Sequence, residues 1–162
     1  MTILPVTPRK LEALENDRAA LAAVLGGPVP EGWPMFPEAV TFTRRHLQQH
    51  PEQAGWWMHF FLHPGTRVLI GSGGCAGPPR EGTVEIGYEI APAFRGRHLG
   101  TAAGAALVEH ARACAEVETV IAHTMAEHNA STHVLVTLGF SRAEEVSDPD
   151  AGTLWRWRLH LR

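Results

Sequence analysis

The octapeptide Phe94-Arg95-Gly96-Arg97-His98-Leu99-Gly100-Thr101 is cationic, and no Asp or Glu occurs between Glu89 and Glu109. A helical pattern begins inside it. The first-turn amides of a helix have no internal partner, and the aligned peptide dipoles add about half a positive charge there. Most helices answer this with a capping side chain or a first-turn acid. Here Gly96 and Gly100 leave the backbone open to close approach, so the chemistry indicated is the binding of a phosphate by backbone amides. Upstream, Glu85 and Glu89 alternate with Val84, Ile86, Tyr88 and Ile90, which puts two carboxylates on one face of a strand. Such groups can abstract protons, or they can simply face solvent or pair with arginine. Downstream, Asn129 and Ser131 stand at the start of a short helical segment, where either can serve as a cap.

The elements that must position these residues follow from apolar spacing. Leu11, Leu14, Ala19, Leu21, Val24 and Leu25 predict one helix over Arg9 to Leu25, stopped by Gly26-Gly27-Pro28. A segment rich in proline and bulky apolar groups, Val29 to Pro37, either walls a cleft or covers core. A second helix is expected from Glu38 to Gln49. Strands are expected at Gly55–His63, Arg67–Gly74 and Thr83–Ile90, forming an antiparallel meander. A helix follows the cationic junction, with Leu99, Ala103, Ala106, Leu107, Ala111 and Cys114 as its apolar stripe. Then come a strand at Thr119–Met125, a short helix from Ala130 to Leu138, and a hairpin of Phe140–Val146 with Thr153–Leu161, whose Trp155 and Trp157 read as core.

At 162 residues the chain suits a single domain, 1–162, with one substantial core. A net charge of -3 argues against a general nucleic-acid binder. Cys75 and Cys114 lie in no metal or redox spacing, no run of about 20 apolar residues can cross a membrane, and no leader pattern opens the chain. A cytoplasmic setting is therefore expected. No metal site is expected: His59 and His63, on one face of a strand, would lie about 13 Å apart, too far for one ion. His123, His128 and His133 form no ligand pattern and read as isolated histidines.

The order of elements from Gly55 to Leu161 resembles the GNAT superfamily of acetyl-coenzyme A-dependent N-acetyltransferases. Three motifs carry the resemblance: Glu85-Ile86-Gly87-Tyr88, Arg95 through Ala102, and Asn129-Ala130-Ser131 followed by Leu138-Gly139-Phe140. They are most similar to the branch containing the ribosomal-protein alanine acetyltransferases. The resemblance implies an α/β (α+β) fold with a mixed, mostly antiparallel central sheet flanked by helices. It implies acetyl-CoA as acyl donor, with Arg95, Gly96, Arg97, His98, Leu99, Gly100 and Thr101 at its pyrophosphate and Ile90, Ala91 and Asn129 along its arm. It also implies a cofactor core in 55–162 and the pairing of two copies that is common among relatives; residues 1–54, helical and outside the matched stretch, are expected to form the acceptor side. Two departures stand out. His98 replaces a motif glycine, and its Cβ would be strained if the bend demands positive φ. Val136 lies near where many relatives carry an acid-donating tyrosine.

Direct acetyl transfer needs a neutral amine, a polarised thioester and a proton for the departing thiolate. A lysine-like amine is charged at pH 7 and costs about 4 to 5 kcal/mol to neutralise, an α-amine only about 1. Glu85 is the first candidate base and Glu89 the second; Ser131 is the candidate proton donor by resemblance. The expected activity is N-acetylation of a primary amine on a small molecule or a peptide N-terminus. The reading from another class is an acyl-CoA-binding module with little turnover. A dinucleotide-binding domain is disfavoured because the Gly-x-Gly-x-x-Gly fingerprint is missing.

Overall fold

The computed structural model describes residues 1–162. In chain order the elements are β1 (Thr2–Pro5), α1 (Pro8–Asn16), α2 (Arg18–Leu25), α3 (Pro37–Gln49), β2 (Met58–Leu62), β3 (Leu69–Cys75), β4 (Thr83–Ile90), α4 (Leu99–Arg112), β5 (Thr119–Met125), α5 (Ala130–Thr137), β6 (Ser141–Asp148) and β7 (Gly152–His160). The strands form one seven-stranded sheet in the order β1-β2-β3-β4-β5-β7-β6. Every pairing is antiparallel except β4 with β5. This is the mixed, mostly antiparallel sheet flanked by helices that the sequence led us to expect.

Three expectations need correction. The first helix is two helices, because Asp17 leaves helical geometry (φ -153, ψ 77) and its side chain accepts from the Ala20 amide at 3.1 Å, capping α2. An N-terminal strand, β1, was not foreseen; it extends the meander by pairing with β2, and Pro5 is tolerated because β1 is an edge. β2 and β3 start later than expected, at Met58 and Leu69. A single 3-10 turn at Pro51–Gln53 precedes the first, and Arg67 takes a left-handed φ of 61 before the second.

Each sheet face has its own core. One packs α4 and α5 against Phe61, Ile70, Val84, Ile86, Val120 and the tryptophans Trp155 and Trp157. The other packs α1 to α3 against Phe60, Leu62 and Leu69, with Trp33 buried among them. On α4 the buried stripe is Leu99, Ala103, Gly104, Leu107, Val108 and Ala111, with Gly104 and Val108 in place of the expected Ala106 and Cys114. Both tryptophan indoles find acceptors, Trp155 on Glu145 and Trp157 on Thr124. Cys75 and Cys114 are free thiols, and no three metal-ligating side chains converge. No helix is long and apolar enough to cross a membrane.

The sheet opens at its centre. β4 pairs with β5 only through Thr83, Val84 and Glu85, then runs on to Ile90 without a neighbour on that side. Bonds from Ala76 to the Glu85 carbonyl and from Ala91 to the Ile70 carbonyl give the odd-numbered residues of β4 to β3. The backbone groups of Tyr88 and Ile90 therefore point into the gap.

Candidate active site

The helix N-termini are not equivalent. Thr7, Asp17 and Asn129 cap α1, α2 and α5 with their side chains, and α3 carries Glu38 in its first turn. Only α4 has neither device: its N-cap, His98, makes no side-chain bond, and its first turn holds no acid. The bend does demand positive φ, with Gly96 at 74 and His98 at 60. A Cβ in that region is strained by about 1 kcal/mol or more, so His98 holds the loop at some expense.

In front of this helix end lies a cavity of about 530 Å³ that passes through the gap beside β4. Its wall takes Glu89, Ile90, Arg95, Gly96, His98, Leu99, Gly100, Thr101 and Ser131 from the expected site residues. Tyr88, Val134, Met35 and Phe36 complete much of the rest. The segment before α3 thus plays both of its expected parts: Trp33 is core, bonded to Ser72 at 3.0 Å, whereas Met35 and Phe36 wall the cleft.

Four expected residues are placed elsewhere. Ala91 is buried; its amide is bonded to Ile70 and its carbonyl to Phe94. Arg97 projects over the Phe94 ring at 5.9 Å. The Asn129 side-chain Oδ1 accepts the Thr132 backbone N–H in a reciprocal capping box, and its Nδ2 donates to Glu127. That cap leaves the neighbouring Ser131 hydroxyl out of its bonds while Ser131 faces the cavity. Glu85 lies in a second recess of about 290 Å³, floored by β3 and β4 and walled by α3. The two cavities abut along β4, one ending at Gly87 and the other beginning at Tyr88.

Two contacts tie the cleft wall to β4. Glu89 accepts the Met35 amide at 2.9 Å; burial raises its pKa, opposed by that amide and by Arg95. Arg95 folds back, donating to the Ile90 carbonyl at 2.9 Å and touching the Met35 sulfur at 3.1 Å. The sole tyrosine, Tyr88, has a buried hydroxyl without a partner, and burial pushes its pKa up to about 12. Val136 is 59% exposed and stands apart from the cavity lining.

The sequence did not reveal one neighbour of the candidate base. His123, read as isolated, has Nδ1 at 2.8 Å from Glu85 Oε1 and accepts Arg156 Nε–H on Nε2 at 3.0 Å. Because Arg156 can only donate, Nε2 is the acceptor in this arrangement and Nδ1–H the donor to Glu85. Arg156 is held in turn by Glu144 at 2.7 Å. The available signal was alternation: His123 and Arg156 both fall at outward positions of neighbouring strands and are register partners.

The acetyltransferase (GNAT) domain model matches residues 2–141, so the chain belongs to the GNAT acetyltransferase family. A search of proteins of curated function finds no match. Among solved structures, a chimera of the Vibrio cholerae spermidine N-acetyltransferase SpeG with hSSAT superposes with a TM-score of 0.69 at 13% identity, covering 99% of this chain and 96% of that one. RimJ of Mycobacterium smegmatis, in complex with CoA-disulfide, gives 0.68 at 19% identity over 98% and 81%. YncA of Salmonella typhimurium, with its cofactor acetyl-CoA, gives 0.65 at 17% identity over 99% and 94%. These likenesses show the fold. Family membership supports acetyl-CoA-dependent acetyl transfer to an amine as the general activity.

Proposed function

We propose that this protein moves acetyl from acetyl-CoA to a primary amine by direct transfer, with residues 55–162 holding the cofactor and the first 54 walling the acceptor side. One observation carries the proposal: the only helix end without cap or acid, that of α4, opens onto the gap where β4 leaves β5. Bound acetyl-CoA would supply an activated acyl group as its thioester. The amides from Gly96 to Thr101 would hold its pyrophosphate, with Arg95 adding charge. Turning Arg95 to a phosphate would also release the Ile90 carbonyl, so anchoring the cofactor and exposing the β4 edge are coupled.

Glu85, oriented by His123, takes the amine proton directly or through water, and Ser131 returns a proton to the thiolate. Glu89 holds the Met35 wall and is the second candidate base. Cys75 is no nucleophile, since burial pushes its thiol up to about 11. The acceptor is a small-molecule amine or a peptide N-terminus. The branch assignment rests on the Asn129-Ala130-Ser131 motif and on the fold likeness to RimJ. A cytoplasmic setting fits the two free thiols, and pairing of two copies is the arrangement common in the family.

Strained His98 and the lack of a tyrosine at the Val136 position favour a second reading, an acyl-CoA-binding module with little turnover. Calorimetry with acetyl-CoA, run beside a thiol-release assay over a panel of amines, separates the two. Acceptor-dependent release supports transfer. Tight binding without release supports the module.

A further inference from the structure

Between Glu85 and Glu89, on the same face of β4, stands Gly87, exposed. Its φ is not in the left-handed region, and a Cβ built there would meet nothing within 4 Å. Other glycines nearby are explained by packing: at Gly71, Gly73 and Gly74 a Cβ would run into the backbone of Glu89, Gly87 and Trp57. Neither conformation nor packing requires glycine at 87. What its missing side chain leaves open is the floor of the recess where it meets the cofactor cavity.

The walls of that recess are apolar. Phe42, 56% exposed, meets Trp57 edge-on at 5.6 Å between ring centroids. The indole N–H of Trp57 donates to Gln53 at 2.9 Å, so what Trp57 offers the recess is hydrocarbon. Met58 lies beside it, and Glu85 is the only carboxylate in the lining. That carboxylate is already a partner of His123. A polyamine keeps further ammonium groups beyond the reacting nitrogen, and each would need an acid that this lining lacks.

Resting on the transfer reading above, we infer that the acceptor is a small primary monoamine bearing an aryl or branched alkyl group. Its nitrogen sits over Gly87 and its apolar body lies against Phe42 and Trp57. A recess of about 290 Å³ suits one ring and a short linker. The ammonium gives one proton to Glu85. The nitrogen lone pair then forms the amide bond, the thioester C–S bond breaks, and the second nitrogen proton reaches the thiolate. The products are the amide and coenzyme A.

The test measures thiol release with 2-phenylethylamine and with spermidine, using the wild type, Gly87→Leu and Gly87→Ala. The aromatic amine should exceed spermidine by about tenfold or more in kcat/KM. Gly87→Leu should lower kcat/KM for 2-phenylethylamine by about a hundredfold and leave acetyl-CoA affinity within about twofold, because residue 87 lies outside the cofactor cavity. Gly87→Ala, the milder probe should the leucine variant fail to fold, should fall between. A preference for spermidine, or unchanged aromatic turnover in a folded Gly87 variant, overturns the acceptor assignment and spares the transfer reading. Release with no amine at all overturns both.

Discussion

Gly100 offers a perturbation in which fold and ligand are expected to respond in opposite directions. It is the second residue of α4 and is half-buried. A Cβ there would meet Val134 Cγ2 at 3.7 Å and Ile90 Cγ1 at 4.0 Å, ordinary contact distances. The protein can therefore accept the methyl group of Gly100→Ala. Alanine is favoured over glycine in a helix by up to about 1 kcal/mol; at a first-turn position about 0.5 is reasonable, or a rise of about 1 to 2 °C in the unfolding midpoint. Val134 and Ile90 both line the cofactor cavity, so the same methyl stands in its neck beside the amides that would face a phosphate. Losing one hydrogen bond to a charged group costs about 1.5 to 3 kcal/mol, which is about ten- to a hundredfold in affinity. Thermal unfolding and calorimetric titration with coenzyme A read the two effects separately. Gly104→Ala is the contrast: its Cβ would stand 2.7 Å from Leu138 Cδ1, so the leucine must shift and the helix gain should be offset. A Gly100→Ala protein with unchanged coenzyme A affinity would refute the cradle, and one with a much lower midpoint would show that glycine serves helix packing.

Other expectations are as specific. His59 is buried with both ring nitrogens unpartnered; burial first, and then the His110 ring 4.9 Å away, lower its pKa to about 4 from an ordinary 6.5. Between those values the unfolded chain binds a proton that the native state refuses, so stability present above pH 6.5 is lost as pH falls toward 4. The loss is about 3 kcal/mol. Urea unfolding from pH 7 to 4 should show that excess loss relative to His59→Leu, and parallel curves would contradict it. His98→Gly should raise stability by about 1 kcal/mol by relieving a left-handed φ, measured by denaturant midpoint. Glu85→Gln keeps an acceptor for His123 Nδ1–H and removes the base. It should lower kcat about a hundredfold for an amine of pKa near 10 and far less for an α-amine, and equal effects on both would remove Glu85 from proton transfer.

What was legible in the sequence was local. The bounds of β4 and β5 coincide with their alternation patterns, because a strand buried on one face writes a period of two into the chain. The uncapped start of α4 was equally readable, since the cationic junction and the helix start are contiguous. The break at Asp17 was hidden because Leu11, Leu14, Leu21 and Leu25 keep helical spacing across it, and only one capping aspartate marks the change. β1 is four residues long and exists by pairing with a strand more than fifty positions away, which no local pattern records. For the Glu85–His123–Arg156 chain, alternation could mark each member's strand face but not join them: they sit on three strands, 38 and 33 residues apart, and meet only when β4, β5 and β7 align.

The site is the place where the sheet is left unfinished. Parting β4 from β5 after Glu85 leaves the inward backbone groups of Tyr88 and Ile90 without a ladder, and a buried unpaired peptide group costs about 1 to 3 kcal/mol. Arg95 covers one of them, the Ile90 carbonyl, while holding the Met35 wall. Of the two arginines that precede the uncapped start of α4, it is the one that lines the cavity; Arg97 lies over Phe94. In the proposed complex that one group would be contested by the Ile90 carbonyl and by a phosphate. Such a contest would link the two ends of the cavity without any new element: an anion completing the helix end would also release the strand edge. The fold's two unsatisfied features, a bare helix terminus and an open strand, line a single cavity, and one diphosphate-bearing ligand with an amide-containing arm can complete both.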